Sequence, residues 1–137
     1  MRLKQFKQVD EELRPGMRME WSRTFTDTEI LRFADFSGDR GIHHVKPDAQ
    51  GRLMAHGLLT ATLPTKLGGD LNFIARTMDF EFLRPVYAGE KLACVGLIDE
   101  VSAQRKRLRV KFSFTVTNAK NKQVLKGSSS GVIYGCK

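Results

Sequence analysis

The stretch from Ala55 to Leu67 constrains the fold of this chain more than any other. It has the length of a helix and is apolar nearly all round as far as Leu63. A helix without a polar face is normally buried on every side by other elements. Pro64 removes the hydrogen bond to the Thr60 carbonyl and is expected to kink the helix, and Gly68-Gly69 is expected to end it. The rest of the chain is therefore predicted to wrap this helix.

Length and composition describe one ordinary globular domain. The chain has 137 residues, of which 41% are hydrophobic and 28% charged, enough for one hydrophobic core. No apolar run approaches the ~20 residues that a membrane span needs, and the first seven residues lack the apolar segment of a secretory signal. Cys94 and Cys136 form no C-x-x-C motif. We expect a cytoplasmic protein with reduced thiols.

The formal net charge of +8 favours an anionic partner, such as nucleic acid, a membrane surface or a phosphate-bearing small molecule. The positive charges are dispersed, and the densest run extends from Arg105 to Arg109. We interpret this run as a solvated hairpin corner, with a phosphate contact as the alternative. The sequence has no RNP, zinc-finger or helix-turn-helix pattern, which argues against nucleic acid as the partner.

The N-terminal part of the chain is predicted to contain an arm followed by a strand. Residues 1–16 are charged and irregular and form the arm, ahead of a single domain over residues 17–137. Apolar residues then alternate with polar ones, as is typical of a half-buried strand. The apolar face of this strand consists of Met17, Met19, Trp21 and Phe25.

A helix and a long loop are predicted next. Thr26 and Glu29 have the spacing of a capping box, which predicts a helix from Asp27 to about Ser37, and Gly38 ends it. Residues 39–52 then form a loop that carries two of the three histidines. Loops of this length in compact domains are usually functional or disordered, so we interpret this loop as a candidate site.

The C-terminal part is predicted to be a sheet. It contains four strands joined by short turns, over residues 73–83, 91–101, 108–116 and 123–134. The strand from Lys91 to Val101 is apolar on both faces, which indicates a central position or contact with a partner chain. The segment Gly127–Gly131 has weak strand propensity. Because the strands are long, the sheet must curve strongly. We therefore predict an α+β fold with a long central helix wrapped by a curved antiparallel β-sheet.

Three segments of the sequence resemble the MaoC-like, (R)-specific enoyl-CoA hydratase family of hotdog-fold proteins. In chain order they read SGDRGIHH over residues 37–44, AHGLL over 55–59 and FLRPVYAGE over 82–90. The resemblance covers about residues 20–135 and implies a hotdog fold, a CoA thioester as substrate and no cofactor. The first motif of the family reads S-G-D-x-N-P-x-H. This chain keeps its acid and its histidine as Asp39 and His44 but has Gly41 and Ile42 in place of Asn and Pro.

Hydration of an enoyl thioester requires an activated water, a proton for Cα and a group that holds the enolate-like oxygen. A carboxylate and an imidazole can hold one water between them and share the acid and base roles. The resemblance implies these roles for Asp39 and His44. Gly57, in the first turn of the buried helix, would offer an N–H to the thioester carbonyl. Thr62 matches a hydroxyl position that supports the acidic residue in relatives.

Other residues of these motifs have two interpretations. We interpret His43 as a loop side chain rather than a substitute base, and His56 as a packing or hydrogen-bonding residue rather than a second base. Gly57 has a close-packing alternative, and Arg84 is a surface charge or a phosphate contact. No metal site is predicted, because the adjacent His43 and His44 are expected to point in different directions and no Cys or Glu completes a ligand set.

The sequence thus predicts an enoyl-thioester hydratase or dehydratase, which adds water reversibly and syn to trans-2-enoyl-CoA to give (R)-3-hydroxyacyl-CoA. A hotdog acyl-CoA thioesterase is one alternative, and a non-catalytic acyl-CoA-binding or assembly protein is another. The retained Asp39 and His44 argue against the last, whereas the missing Asn and Pro argue for it. The expected partners are an acyl-CoA or acyl carrier protein thioester and a second copy of the chain, in a homodimer or a higher even oligomer.

Overall fold

The computed structural model describes residues 13–135, so the predictions for residues 1–12 and for Cys136 lie outside it. One antiparallel five-stranded sheet has the strand order β1-β3-β4-β5-β2. Its strands are β1 (Arg18–Thr24), β2 (Ile74–Phe82), β3 (Lys91–Gln104), β4 (Arg107–Thr117) and β5 (Gln123–Tyr134). The helices are α1 (Asp27–Ser37), α2 (Ile42–Val45), α3 (Gly57–Thr60) and α4 (Thr62–Asp70). No helix within residues 13–135 is both long and apolar enough to span a membrane.

The predicted α+β architecture is confirmed. Helix α4 contacts four of the five strands, β1, β2, β3 and β4, so the sheet wraps the central helix. The register shifts within the β3–β4 pair, between Ile98 and Glu100, and such irregularities bend a strand and increase its twist. Strand β3 lies between β1 and β4, so it has an interior position in the sheet, which was one of the two alternatives predicted for it.

The central helix shows the predicted interruption but differs from its prediction at its start and in its burial. It begins at Gly57 rather than Ala55 and is interrupted at Ala61, which separates α3 from α4. The interruption has the predicted cause, because Pro64 has no N–H to donate to the carbonyl one turn earlier. The prediction of a helix buried on every side was wrong at Leu58, which is 63% exposed in the isolated chain.

The end of the central helix was also predicted wrongly. Gly68 and Gly69 lie inside α4, which continues to Asp70. The left-handed residue that ends the helix is Asn72, with φ +56°, and asparagine tolerates this region better than other non-glycine residues. Gly68 is closely packed instead, because a Cβ there would lie 3.3 Å from the Phe73 ring.

Helix α1 has the predicted bounds because both of its ends are encoded locally. The Glu29 N–H donates to Thr26 Oγ1 at 3.1 Å, and the Thr26 N–H donates to Glu29 Oε1 at 3.0 Å, which completes the capping box. Gly38 has φ +82°, and its N–H donates to the Ala34 carbonyl. Gly38 ends the helix immediately before Asp39, so the cap places the first predicted catalytic residue. The predicted loop 39–52 is not entirely irregular, since it contains the short helix α2.

The weak-propensity segment Gly127–Gly131 has a packing explanation. A Cβ on Gly127 or Gly131 would lie 2.0 Å from the main-chain oxygen of Asp79 or Ile74, so β5 approaches β2 too closely for a side chain. The serines between these glycines bond across the same pair of strands. Ser128 Oγ, for example, donates to Asp79 Oδ2 at 2.8 Å. The close contact between β2 and β5 therefore accounts for the glycines and serines of this segment.

Candidate active site

A cavity of about 590 Å³ opens where the end of α1, helix α2, the start of α3 and the end of β2 meet. Six of the seven predicted site residues line it, namely Asp39, His43, His44, His56, Gly57 and Arg84. The remaining lining side chains are mostly apolar and include Phe33, Met54, Leu58, Phe82, Val86 and Val124. The fold thus brings the three motifs to one apolar cavity.

Asp39 is held by hydrogen bonds along its main chain and one carboxylate oxygen. Its N–H donates to Ser37 Oγ at 3.0 Å, and its Oδ1 accepts from the Gly41 N–H at 3.1 Å. Its carbonyl oxygen lies 2.9 Å from His56 Nε2. The side chain of Asp39 remains 60% exposed, so the second carboxylate oxygen is accessible from the cavity. Gly41 therefore positions the acid through its backbone, although it lacks the Asn side chain of the family motif.

His44 is buried, and its tautomer follows from its contacts. Its Nδ1 lies 2.7 Å from the Met54 carbonyl oxygen, which can only accept, so Nδ1 carries the hydrogen and Nε2 keeps a lone pair. Nε2 lies 3.7 Å from Asp39 Oδ2. This separation is too long for a direct hydrogen bond, but both atoms can contact one small polar molecule placed between them.

His56 lies beside this pair and is only 2% exposed. Its ring stacks on that of His44 with centroids 3.7 Å apart and planes 16° apart, and Phe33 contacts it edge-on at 4.8 Å. Burial lowers the pKa of His56, while its hydrogen bond to the Asp39 carbonyl opposes this and the neighbouring His44 adds to it. His56 is therefore neutral at physiological pH.

His43 is exposed and lies on the other side of His44, with ring centroids 4.0 Å apart. Both side chains line the cavity, so the expectation that they point in different directions was wrong. His43 lies in helix α2 rather than in an irregular loop, and it stays outside the buried stack of His44 and His56.

The structure brings together one ligand set that the sequence did not predict. Ligand atoms of Asp39, His44 and His56 all lie within 4.8 Å of one another. The two imidazoles are stacked and nearly parallel, so their in-plane lone pairs lie in parallel planes and do not converge on one ion at the ~2.0–2.1 Å that Zn–N bonds require. The arrangement is better suited to proton transfer than to metal binding.

Gly57 and Thr62 have packing roles in the structure. A Cβ on Gly57 would lie 2.8 Å from the Phe82 ring, which supports the close-packing interpretation. Gly57 is also the first residue of α3, so its N–H has no partner within the helix. Thr62 Oγ1 donates to the Leu59 carbonyl at 2.5 Å rather than to Asp39, and Thr62 is not among the residues that line the cavity.

The two basic groups have different positions. Arg84 lines the cavity, and its guanidinium donates to the Gln123 carbonyl at 2.6 Å while staying exposed. The basic run from Arg105 to Arg109 begins with a two-residue turn between β3 and β4, in which Lys106 has φ +64°. It is the hairpin corner that we expected, and its residues do not line the cavity.

The only thiol within residues 13–135, that of Cys94, is buried. Burial raises its pKa to about 12, so the thiolate required of a nucleophile does not form at neutral pH. Covalent catalysis by Cys94 is therefore not an option.

Comparisons with known proteins identify the fold. No family model matches the sequence, and no curated protein matches it significantly. Solved structures do match. R-hydratase PhaJ1 from Pseudomonas aeruginosa has a TM-score of 0.79 at 24% identity, over 93% of this chain and 85% of that one. The MaoC-like dehydratase from Rhodospirillum rubrum has a TM-score of 0.75 at 18% identity, over 93% and 97%.

A third structure is the 3R-hydroxyacyl-ACP dehydratase complex HadBC from Mycobacterium tuberculosis, with a TM-score of 0.68 at 17% identity, over 87% of this chain and 96% of that one. At these identities the similarity is one of fold. The chain has the hotdog fold of MaoC-like hydratases and dehydratases, as the resemblance of its sequence motifs predicted.

Proposed function

We propose that the protein is an enoyl-thioester hydratase or dehydratase, which interconverts a trans-2-enoyl-CoA and an (R)-3-hydroxyacyl-CoA. The observation that carries this proposal is the pair formed by Asp39 Oδ2 and His44 Nε2, 3.7 Å apart at the wall of a mostly apolar cavity. The apolar lining suits an acyl chain. The hydratase and dehydratase names of structures with this fold support the same reaction.

In this mechanism one water lies between the carboxylate of Asp39 and Nε2 of His44. The pair removes one proton from the water as its oxygen attacks Cβ of the enoyl group, and the pair then delivers this proton to Cα on the same face. The sum is syn addition of H and OH, and the reverse sequence is dehydration. Because Met54 fixes the hydrogen on Nδ1, Nε2 of His44 is always the atom that faces the water. Such general acid–base catalysis typically contributes ~10²–10⁴-fold.

Two further residues would bind the rest of the thioester. The N–H of Gly57 would donate to the thioester carbonyl as it gains negative charge. Arg84, exposed and at the cavity lining, would contact a phosphate of CoA or of the phosphopantetheine of an acyl carrier protein. The net charge of +8 would attract either anionic carrier.

A homodimer joined at β2 is the proposed assembly. Within residues 13–135, strand β2 is an edge strand whose one partner is β5, and an unpaired edge is a template for another strand. Three large apolar side chains of β2 are exposed in the isolated chain, Ile74 at 50%, Met78 at 43% and Phe82 at 51%. Since Phe82 also lines the cavity, the dimer contact and the active site would be adjacent.

Incubation of the purified protein with crotonyl-CoA tests the reaction. A hydratase removes the conjugated enoyl absorbance and yields only the (R)-3-hydroxy thioester on chiral analysis. Release of free CoA thiol without loss of the double bond would reject the proposal in favour of a thioesterase. Binding of the ester without either change would favour a non-catalytic acyl-CoA-binding protein.

A further inference from the structure

His56 contacts both members of the proposed catalytic pair. We propose that His56 is a positioning residue: its Nε2–H holds the main chain of Asp39, and its ring supports the imidazole of His44. The predicted effect on kcat rests on the proposed hydratase function. The predicted hydrogen bond and ring contact can be tested on the protein without substrate.

The contact with Asp39 ties an exposed loop to the buried helix. His56 Nε2 lies 2.9 Å from the Asp39 carbonyl oxygen, and because a carbonyl only accepts, Nε2 carries the hydrogen. Among the hydrogen bonds that Asp39 makes within residues 13–135, only this one reaches outside residues 37–41. Without it, the acid would be held only by its own loop.

The contact with His44 requires that His56 be uncharged. Two stacked imidazoles cannot both be positively charged at low cost, since like charges in contact repel. Burial lowers the pKa of His56, and the charges of His44 and His43 add to this, while the carbonyl and the charge of Asp39 oppose it. His56 therefore stays neutral when His44 takes a proton from water. Phe33, edge-on at 4.8 Å, holds the ring of His56 in this position.

Packing alone does not account for a histidine at this position. Nδ1 of His56 is buried and has no hydrogen-bond partner among the described residues, and an unpaired buried nitrogen is destabilising. A phenylalanine would supply the same stacked ring without that cost. The feature that phenylalanine lacks is the Nε2–H on Asp39, which indicates that this hydrogen bond is the reason for the imidazole.

Two variants separate the hydrogen bond from the ring. His56→Phe keeps a flat ring and loses the donor, whereas His56→Gln keeps an N–H at about the position of Nε2 and loses the ring. We expect His56→Phe to lower kcat for crotonyl-CoA by ~10- to 100-fold, as a misplaced catalytic group does. KM should change by less than about threefold, because the lost contact does not bind substrate. His56→Gln should recover part of kcat.

The inference is overturned if His56→Phe retains the wild-type kcat, or if His56→Gln is no more active than His56→Phe. Thermal unfolding of each variant, measured alongside, shows whether both are folded at the assay temperature. A loss of kcat that follows only the unfolded fraction would likewise reject a positioning role.

Nitrogen-15 NMR of the histidine rings tests the geometry without any activity. We expect neutral His56 to carry its hydrogen on Nε2 and neutral His44 to carry its hydrogen on Nδ1, and we expect His56 to titrate at a lower pH than an ordinary histidine. A neutral His56 that carries its hydrogen on Nδ1, or a His56 that titrates at or above the pH of an ordinary histidine, would overturn the inference. If the wild-type protein hydrates no enoyl thioester, the proposed function fails, and the NMR result alone decides the role of His56.

Discussion

Backbone contacts of single residues decide how Asp39 is presented. The MaoC-like motif has an Asn two residues after the acid, and this chain has Gly41 there. The Gly41 N–H bonds to the carboxylate, and a Cβ at this position would lie 3.2 Å from the His43 ring. The missing side chain therefore makes room for the extra imidazole while the backbone keeps its hold on the acid.

Gly57 packs against the Phe82 ring and is also the proposed N–H donor to the thioester carbonyl. In Gly57→Ala the new methyl group would displace the Phe82 ring, which lies 2.8 Å from its position. We expect a folded protein with kcat/KM lowered by ~10- to 100-fold, because the start of α3 shifts relative to Asp39 and His44. Steady-state kinetics with crotonyl-CoA measures this change.

Gly69→Ala is the matched control, since Gly69 lies in α4 with nothing within 4 Å of an added Cβ. It should keep full activity and raise the free energy of unfolding by ~0.4–1 kcal/mol, as alanine does at a compatible glycine position. Equal activity of the two variants would contradict the role given to Gly57.

At this scale the sequence predicted which residues gather but not how they touch. One cavity is lined by Asp39, His44, Gly57 and Arg84. These residues could be predicted together because each belongs to a short sequence motif. The stacking of His56 on His44 was not predictable, since the two residues are brought together by tertiary packing. The acceptor of the Thr62 hydroxyl was also not predictable from the motif, because this hydroxyl donates to the Leu59 carbonyl three residues earlier.

Among the elements, α1 has a stability that depends on pH through its capping box. The backbone bond to Thr26, with the nearby Arg23, lowers the pKa of Glu29 below its usual 4.5. A lowered folded-state pKa stabilises the fold above the unfolded value, and this contribution is lost as pH falls through the folded-state pKa. The contribution of Glu29 is therefore present at neutral pH and absent in acid.

We expect Glu29→Gln to lower the free energy of unfolding at pH 7 by about 0.2–1 kcal/mol, the range of an exposed ion pair. The difference from wild type should shrink below about pH 4, measured by urea unfolding at several pH values. Glu100→Gln, at an exposed glutamate of β3, is the control and should show no such pH-dependent difference. A difference that stays constant in acid would contradict this account of the cap.

Elements with local signals were predicted well, and those set by packing were not. The capping box and Gly38 defined both ends of α1. Helix α2 was missed because four residues are too few to show a periodic pattern. The alternation of Met78, Phe80 and Phe82 resembled a half-buried strand, but β2 lies at the sheet edge and only Phe80 is partly buried.

For the whole molecule, the exposed edge of β2 predicts a dimer. We expect light scattering to give about twice the 15.5 kDa chain mass, or a higher even multiple. Met78→Lys places a charge in the middle of the edge strand and should give the monomer mass, because edge lysines oppose strand pairing. Leu97→Lys, at a similarly exposed position on the central strand β3, should stay dimeric. A monomeric wild-type protein at micromolar concentration would contradict the assembly.

The central claim is that Asp39 and His44 together perform the hydration, and substitution of the two tests it most directly. The measurement is kcat with crotonyl-CoA for Asp39→Asn, His44→Ala and the control Asp70→Asn, an exposed aspartate at the end of α4. The account predicts that each of the first two lowers kcat by ~10²–10⁴-fold, with far-UV circular dichroism unchanged, and that the control stays at the wild-type rate. Near-full activity of both Asp39→Asn and His44→Ala would contradict it.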